Sequence, residues 1–421
     1  MNGVINNENR IDRLDLIAVF VIAAQLDFFY LLSTEFKLGQ GLLLVLSLYF
    51  IMRYLLTGSR GSGINRFLMV YLGVLLVTGA YQATKMFGGS VLAAFLAERG
   101  FWVYIIAYFA LEKLFAKKIL TNDRCIRVLG IACGVQLFMY YTQWLVSSKV
   151  IFLNVLNGAR YGTARFFFLP IFMILFLCFN VSDFFNRKFS RASIIWIVLI
   201  LGEILIVQKY RMTLVCIAAA VVCVFLLYRG KFSRGLAIIC VGLVALVVIL
   251  NTQMGRDIIN SLMGAGHDNS LNGRTEWRMW AFEELKQRPL LGNGYTYTDA
   301  GFDYGAQYIR KHFGWNFSAG DYGVFGLVYE YGLLGLGWFV FFVVTQLKRA
   351  FTVWKYKKNY AYLIYIFFII INSYSEFYWF RGNGLFATVI FMCMLNQEYK
   401  EVHRVEKVDK FIRSITHLKR E

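Results

Sequence analysis

The sequence predicts an all-α polytopic membrane protein, and three observations predict it. Of the 421 residues, 58% are hydrophobic, 16% are charged and only two are proline, whereas a soluble chain of this length carries far more charge. The apolar residues come in continuous runs, not in the alternation that a β-barrel requires. The Lys and Arg residues behind the formal net charge of +19 lie between those runs, which points to membrane topology and away from a nucleic-acid partner.

A crossing helix needs roughly 20 mainly apolar residues. By that measure about twelve transmembrane helices run over 15–34, 41–57, 67–86, 99–116, 127–147, 164–182, 192–208, 212–228, 235–252, 323–346, 360–378 and 383–396. The first apolar run, Leu16–Leu32, carries Asp27 and lacks a small-residue cleavage site, so it is expected to be a retained span. The run Val91–Leu96 is too short to cross, and an interfacial or re-entrant helix leading into the fourth span is expected there. With the N-terminus inside, the N-terminal segment, the even-numbered connections and the tail hold 28 of the 44 Lys and Arg residues. Both termini are therefore expected in the cytoplasm. The chain reads as a single transmembrane domain over 1–421: spans 1–9 over 1–252, one long external loop over 253–322, spans 10–12 over 323–396, and a tail over 397–421. The tail is basic and amphipathic, and is expected to lie as a cytoplasmic helix on anionic membrane lipids.

The loop carries seven positive and eight acidic residues, so its arginines are expected to act as individual contacts and not as a charge field. Asn272 can N-cap a helix over Arg274–Gln287, which Arg288-Pro289 ends, and Gly292-Asn293-Gly294 makes a tight turn. Arg274 and Arg278 are four apart and share a face. Trp277, Trp280, Ala281 and Leu285 form an apolar face suited to resting on the membrane surface, where the arginines would meet lipid phosphates.

A second cationic group stands at outer span ends. Lys209, Tyr210 and Arg211 interrupt spans seven and eight, and Arg160 and Arg165 flank the outer start of span six. Arginine on this side opposes the topology bias. Snorkelling to headgroups is one reason for it. The other is a diphosphate ligand, whose oxygens a planar, permanently charged guanidinium binds bidentately. Acidic residues inside spans are costly unless paired, which singles out Asp27, Glu203 and Glu330. Glu203 lies two turns before Lys209 and Arg211, so a structural ion pair is open to it. Asp321, at the mouth of span ten, suits a general base, a sugar-hydroxyl ligand or a helix N-cap.

The seven cysteines are scattered and form no CxxC, no phosphate-binding glycine loop is present, and the four histidines show no metal-ligand spacing. Disulfide, zinc and ATP chemistry are not indicated, and no cofactor is expected.

The stretch RTEWRMWAFEELKQRPLLGNGY, followed by DYGVFGLVYEYGLLGLG after about nine spans, resembles the superfamily of O-antigen ligases and Wzy-type O-antigen or capsular polysaccharide polymerases. The specific part covers about 130 residues, from QKYRMTLVCIAAAVV through GLLGLG. The resemblance implies a GT-C-like, metal-independent membrane glycosyltransferase of the bacterial cytoplasmic membrane. Its donor would be an undecaprenyl-diphosphate-linked oligosaccharide, used at the outer face. Arg211 and Arg274 match the family's diphosphate-binding arginines. Ligases commonly open the E-x-G-L-x-G span with His, where this chain has Asp321, which looks more like the polymerase branch. Arg160, Arg165, Lys209, Arg278, Glu330 and Tyr295 are the expected substrate-binding residues, and Tyr297, Tyr304, Trp315 and Tyr322 are further rings that can stack on sugars or anchor at the interface. A chain-length regulator would be a possible partner. The competing readings are a ligase with a lipid or protein acceptor, and a flippase for the same lipid-linked sugar.

Overall fold

The computed structural model describes residues 38–53, 63–146, 158–160, 163–165, 171–186, 190–208, 210–227, 269–296, 303–313, 319–380 and 383–418. Within them the regular structure is helical apart from one small hairpin. The helices are α1 (Leu38–Arg53), α2 (Gly63–Phe87), α3 (Val91–Ala97), α4 (Arg99–Ala116), α5 (Asn122–Leu145), α6 (Ile171–Phe185), α7 (Arg191–Gly202), α8 (Arg211–Leu227), α9 (Asn269–Gln287), α10 (Tyr304–Phe313), α11 (Val324–Lys357), α12 (Ala361–Asn372) and α13 (Asn383–Leu418). A π turn, Glu203–Gln208, extends α7. The hairpin pairs β1 (Gly158–Arg160) with β2 (Thr163–Arg165), Arg160 opposite Thr163 and Gly158 opposite Arg165.

Ten of the twelve expected runs fall on these helices, and 15–34 and 235–252 lie outside the described residues. Among the described residues four helices can cross a bilayer by length and hydropathy: α2, α5, α7 with its π turn, and α11. The pair α3–α4, bent by 59°, would be a fifth as one broken span. The short helix expected at Val91–Leu96 is thus α3, and Glu98 sits at its junction with α4.

Three expected boundaries are corrected. Residues 163–165, expected at the start of span six, form a strand, and the helix begins at Ile171, directly after Pro170, a residue suited to a helix start. The run expected to continue to 378 stops at Asn372, where the N–H groups of the polar Ser373–Glu376 segment turn back on the carbonyls of Ile369, Ile371 and Asn372. The tail is no separate helix: α13 runs on from the last apolar run into it.

Helices α6, α12 and α13 are buried all round over 171–180, 361–366 and 384–396, one of the two settings, protein core or lipid, open to helices apolar on every side. Around them α1, α2, α7 and α11 present exposed Leu, Val and Phe residues such as Val45, Val74, Val198 and Val340, the surface expected of lipid contact. One end of the bundle is tied by polar pairs. Arg66 donates to Glu112 at 2.7 Å, Arg349 and Gln346 donate to Asn65, and Tyr362 donates to Glu398 at 2.9 Å. Lys113, Lys355, Lys357 and Lys400 belong to this same end. The opposite end carries the irregular segments: the hairpin, the π turn, the 288–296 and 319–323 segments, and the 373–377 loop.

Candidate functional site

The irregular end is built around a break in α11. Gly332 adopts φ 64°, ψ −157° inside the helix, a region open to glycine and strained for other residues. An unbroken helix would bond Leu333 N–H to Tyr329 C=O and Leu334 N–H to Glu330 C=O. The segment after α9 fills in for both. Leu333 and Leu334 donate to the carbonyls of Pro289 and Leu290 at 2.8 and 3.2 Å, and the carbonyls of Tyr329 and Glu330 accept from Asn293 and Gly294 at 2.8 and 2.9 Å. The orphaned backbone groups of the break are thereby satisfied, as buried groups must be. Gly294, at φ 91°, lies so close to α2 that a Cβ would run into the Ala83 backbone. The buried Glu330 carboxylate adds two bonds, accepting from Thr296 N–H at 3.1 Å and Thr296 Oγ1 at 2.7 Å.

Through this splint α9 is held against the start of α11. Trp277, fully buried, stacks on Tyr322 at 3.8 Å between ring centroids, and Trp280 lies 5.6 Å from Tyr329 and 5.2 Å from Phe313 of α10. Trp277 and Ala281 share a buried cluster with Ile309, Tyr322 and Tyr329. The apolar face of α9 therefore rests on protein and not on the membrane surface: the aromatic rings of α10 and α11 offer it better-matched partners. The face turned outward instead carries Met279 and Phe282. The helix also starts five residues earlier than expected, at Asn269, so Asn272 is a helical residue and not the N-cap. In α10, burial and the nearby Glu284 carboxylate raise the Tyr308 phenol above its usual range.

The 373–377 loop joins the remaining parts. Ser373 C=O accepts from Val324 N–H at 2.6 Å, and Phe377 N–H donates to Gly320 C=O at 2.8 Å, so the loop runs beside the short 3₁₀ turn Ala319–Tyr322 that carries Asp321. Arg278 Nη2 donates to Tyr374 C=O at 3.4 Å, with its guanidinium over the Tyr374 and Phe325 rings at 5.4 and 5.3 Å. Asn372, at the end of α12, donates to Cys216 Sγ at 3.9 Å, and Ser375 and Glu376 lie near the same thiol. Cys216 stands five residues into α8, the helix that Arg211 opens. The hairpin strand of Arg165 lies against the π turn that leads to Arg211.

Arg211, Arg274, Arg278 and Asp321 thus sit on elements that meet one loop. Arg274 is one turn before Arg278 in α9, and the side chains of Arg274, Arg211, Asp321, Arg160 and Arg165 are outside the description. Lys209, Asp27, Tyr297 and Trp315 lie outside the described residues altogether. Gly323, at φ 59°, is the N-cap of α11, which removes that role from Asp321. Glu203 is fully buried in the π turn, and its Oε1 accepts from Gln208 at 2.7 Å. Tyr295 is buried edge-on against Phe101, and Tyr322 is covered by Trp277, so neither ring offers a face to a sugar. Tyr304 remains exposed.

Sequence reasoning missed the loop itself. Asn372, Ser373, Ser375 and Glu376 are all buried, and their signal was a polar NSYSE run inside an otherwise apolar stretch. Glu98, fully buried and accepting from Tyr331 Oη at 3.0 Å, was missed as well. Among the described residues no three His, Cys, Asp or Glu side chains converge as metal ligands would.

Residues 195–343 match the model of the O-antigen ligase family. That is about a third of the chain, running from α7 through α8 and α9 past the break in α11. The match supports the O-antigen ligase and Wzy-type superfamily and a membrane role in polysaccharide biosynthesis. A comparison with curated proteins finds no match.

Proposed function

We propose that this protein is a polysaccharide polymerase that joins undecaprenyl-diphosphate-linked oligosaccharide repeat units. The observation that carries the reading is the meeting of three elements at the 373–377 loop: α8 behind Arg211, α9 with its Arg274–Arg278 face, and the turn of Asp321. Two arginine-bearing helices and a carboxylate are what a metal-free transfer from a diphosphate needs. In this reading, Arg211 and Arg274 hold the donor's diphosphate, aided by Arg278, Lys209 and the hairpin arginines Arg160 and Arg165. A hydroxyl at the non-reducing end of a second lipid-linked unit attacks the anomeric carbon. The new glycosidic C–O bond forms as the bond from that carbon to the phosphate oxygen breaks. Asp321 takes the hydroxyl proton, and undecaprenyl diphosphate leaves with its charge spread over the guanidinium groups. In this reading the expected order of about twelve spans and its Lys/Arg bias would set this end of the bundle outside the cell and the Lys/Arg-rich end inside.

The family's description favours a second reading, a ligase that moves a finished glycan to a lipid or protein acceptor. Products separate the two. Purified protein supplied with lipid-linked repeat units should give a ladder of many lengths on a gel, where a ligase gives one capped acceptor. Right-side-out vesicles given the same units from outside should make the ladder too. Arg211→Lys and Arg274→Lys should each abolish it, since a point charge does not reproduce the bidentate fork. Full ladders from both variants would remove the diphosphate role.

A further inference from the structure

We propose that Glu330 is a positioning residue: it locks the 289–296 segment into the break of α11, and so fixes where α9 and its arginines stand relative to the turn of Asp321. The sequence suggested a substrate contact for Glu330. The structure points the other way, because the side chain is 2% exposed and one of its oxygens receives both the N–H and the hydroxyl of Thr296. Both bonds reach across 34 residues of chain, tying the segment that follows α9 to the helix that follows Asp321.

The geometry makes the lock specific. Four backbone bonds splint the break, two on each side of Gly332. Backbone bonds do not read side-chain identity; the close approach of Gly294 to Ala83 and the Thr296 bonds to Glu330 do. Thr296 sits two residues beyond the last of the splinting donors, Gly294, and pins the register from outside the splint. The same segment leads directly from α9 through Pro289, so its register sets the position of α9 along α11. Arg274 and Arg278 ride on α9, and only Gly323 separates the Asp321 turn from α11. A lock at Glu330 therefore sets the spacing between the proposed diphosphate grip and the proposed base, without Glu330 meeting substrate. Misplacement by about 1 Å at a reacting centre costs on the order of a hundredfold in rate.

An acceptor role for Glu330 needs an oxygen lone pair and not a negative charge. Glu330→Gln keeps a carbonyl oxygen at the same place, while Glu330→Ala removes it and Thr296→Val removes one donor. The test uses the full chain in lipid nanodiscs, spin-labelled at the exposed positions Met279→Cys on α9 and Val340→Cys on α11. The inter-label distance distribution should stay narrow in the Glu330→Gln background and broaden in Glu330→Ala and in Thr296→Val. Chain synthesis should fall on the order of a hundredfold in Glu330→Ala and be largely rescued in Glu330→Gln. Should Glu330→Ala fail to insert, Thr296→Val carries the distance test alone. Unchanged distances in the variants that insert, or Glu330→Gln as inactive as Glu330→Ala, would overturn the lock. The activity arm rests on the polymerase reading and the distance arm does not, so an inactive parent protein with the expected distances would count against the polymerase alone.

Discussion

Arg278 and Trp277 are neighbours in sequence with different tasks. The Arg278 guanidinium bonds the Tyr374 carbonyl and lies over two aromatic rings, an arrangement that a compact ammonium does not reproduce. Trp277 has no exposed surface and stacks on Tyr322. Trp277→Ala should cost about 3–5 kcal/mol of stability, the range for deleting a buried large aromatic, read as a lower unfolding temperature of the detergent-purified protein. Trp277→Phe should recover most of it; an alanine variant that melts with the parent would show that α9 is not anchored there. The arginine-bearing helix was legible from the sequence, because Pro289 and the Gly292–Gly294 turn mark its end. Which way its tryptophans face was not: an amphipathic face reads the same whether lipid or a neighbouring helix covers it. The same ambiguity hid the fate of Tyr295, an aromatic beside a turn that proves to be core.

At the scale of elements, the central feature is a helix broken at Gly332 and repaired by a segment from elsewhere in the chain. A Cβ on Gly332 would meet the Leu290 backbone, and one on Gly294 would meet the α2 backbone at Ala83. Backbone cannot yield as a flexible side chain can. Both residues also have positive φ, at 64° and 91°, where a Cβ is strained. Gly332→Ala and Gly294→Ala should each lower the yield of folded protein and its melting temperature. Gly41→Ala is the control, since nothing approaches within 4 Å of a Cβ there. Equal melting of all three would mean that the splint is not closely packed. The glycines and the buried glutamate were visible in the sequence as separate signals. Their union was not, because a bond from Gly294 to Glu330 is a long-range fact that no local pattern encodes. The 373–377 loop escaped for a related reason: hydropathy averaged over a span-length window hides five polar-rich residues among apolar ones.

At the scale of the whole molecule, the bundle is divided by charge and regularity. The end tied by Arg66–Glu112 and Tyr362–Glu398 holds many of the cations, and the other end holds the breaks, turns and candidate site residues. Hydropathy and the Lys/Arg bias made the membrane class and the helix order legible, because the bilayer imposes both directly. The all-round burial of α6, α12 and α13 was not legible, since a helix facing lipid and one facing protein share one composition. In the proposed site the two arginine-bearing helices act together on one ligand. Its most direct test is binding of a polyprenyl diphosphate to the protein in nanodiscs, compared for the parent, Arg211→Lys, Arg274→Lys and the double variant. Each single change should weaken binding by roughly tenfold or more, and the double variant should bind with less than the product of the two losses, as coupled contacts to one group do. Affinity unchanged by either substitution, or losses that are strictly independent, would contradict the shared diphosphate grip.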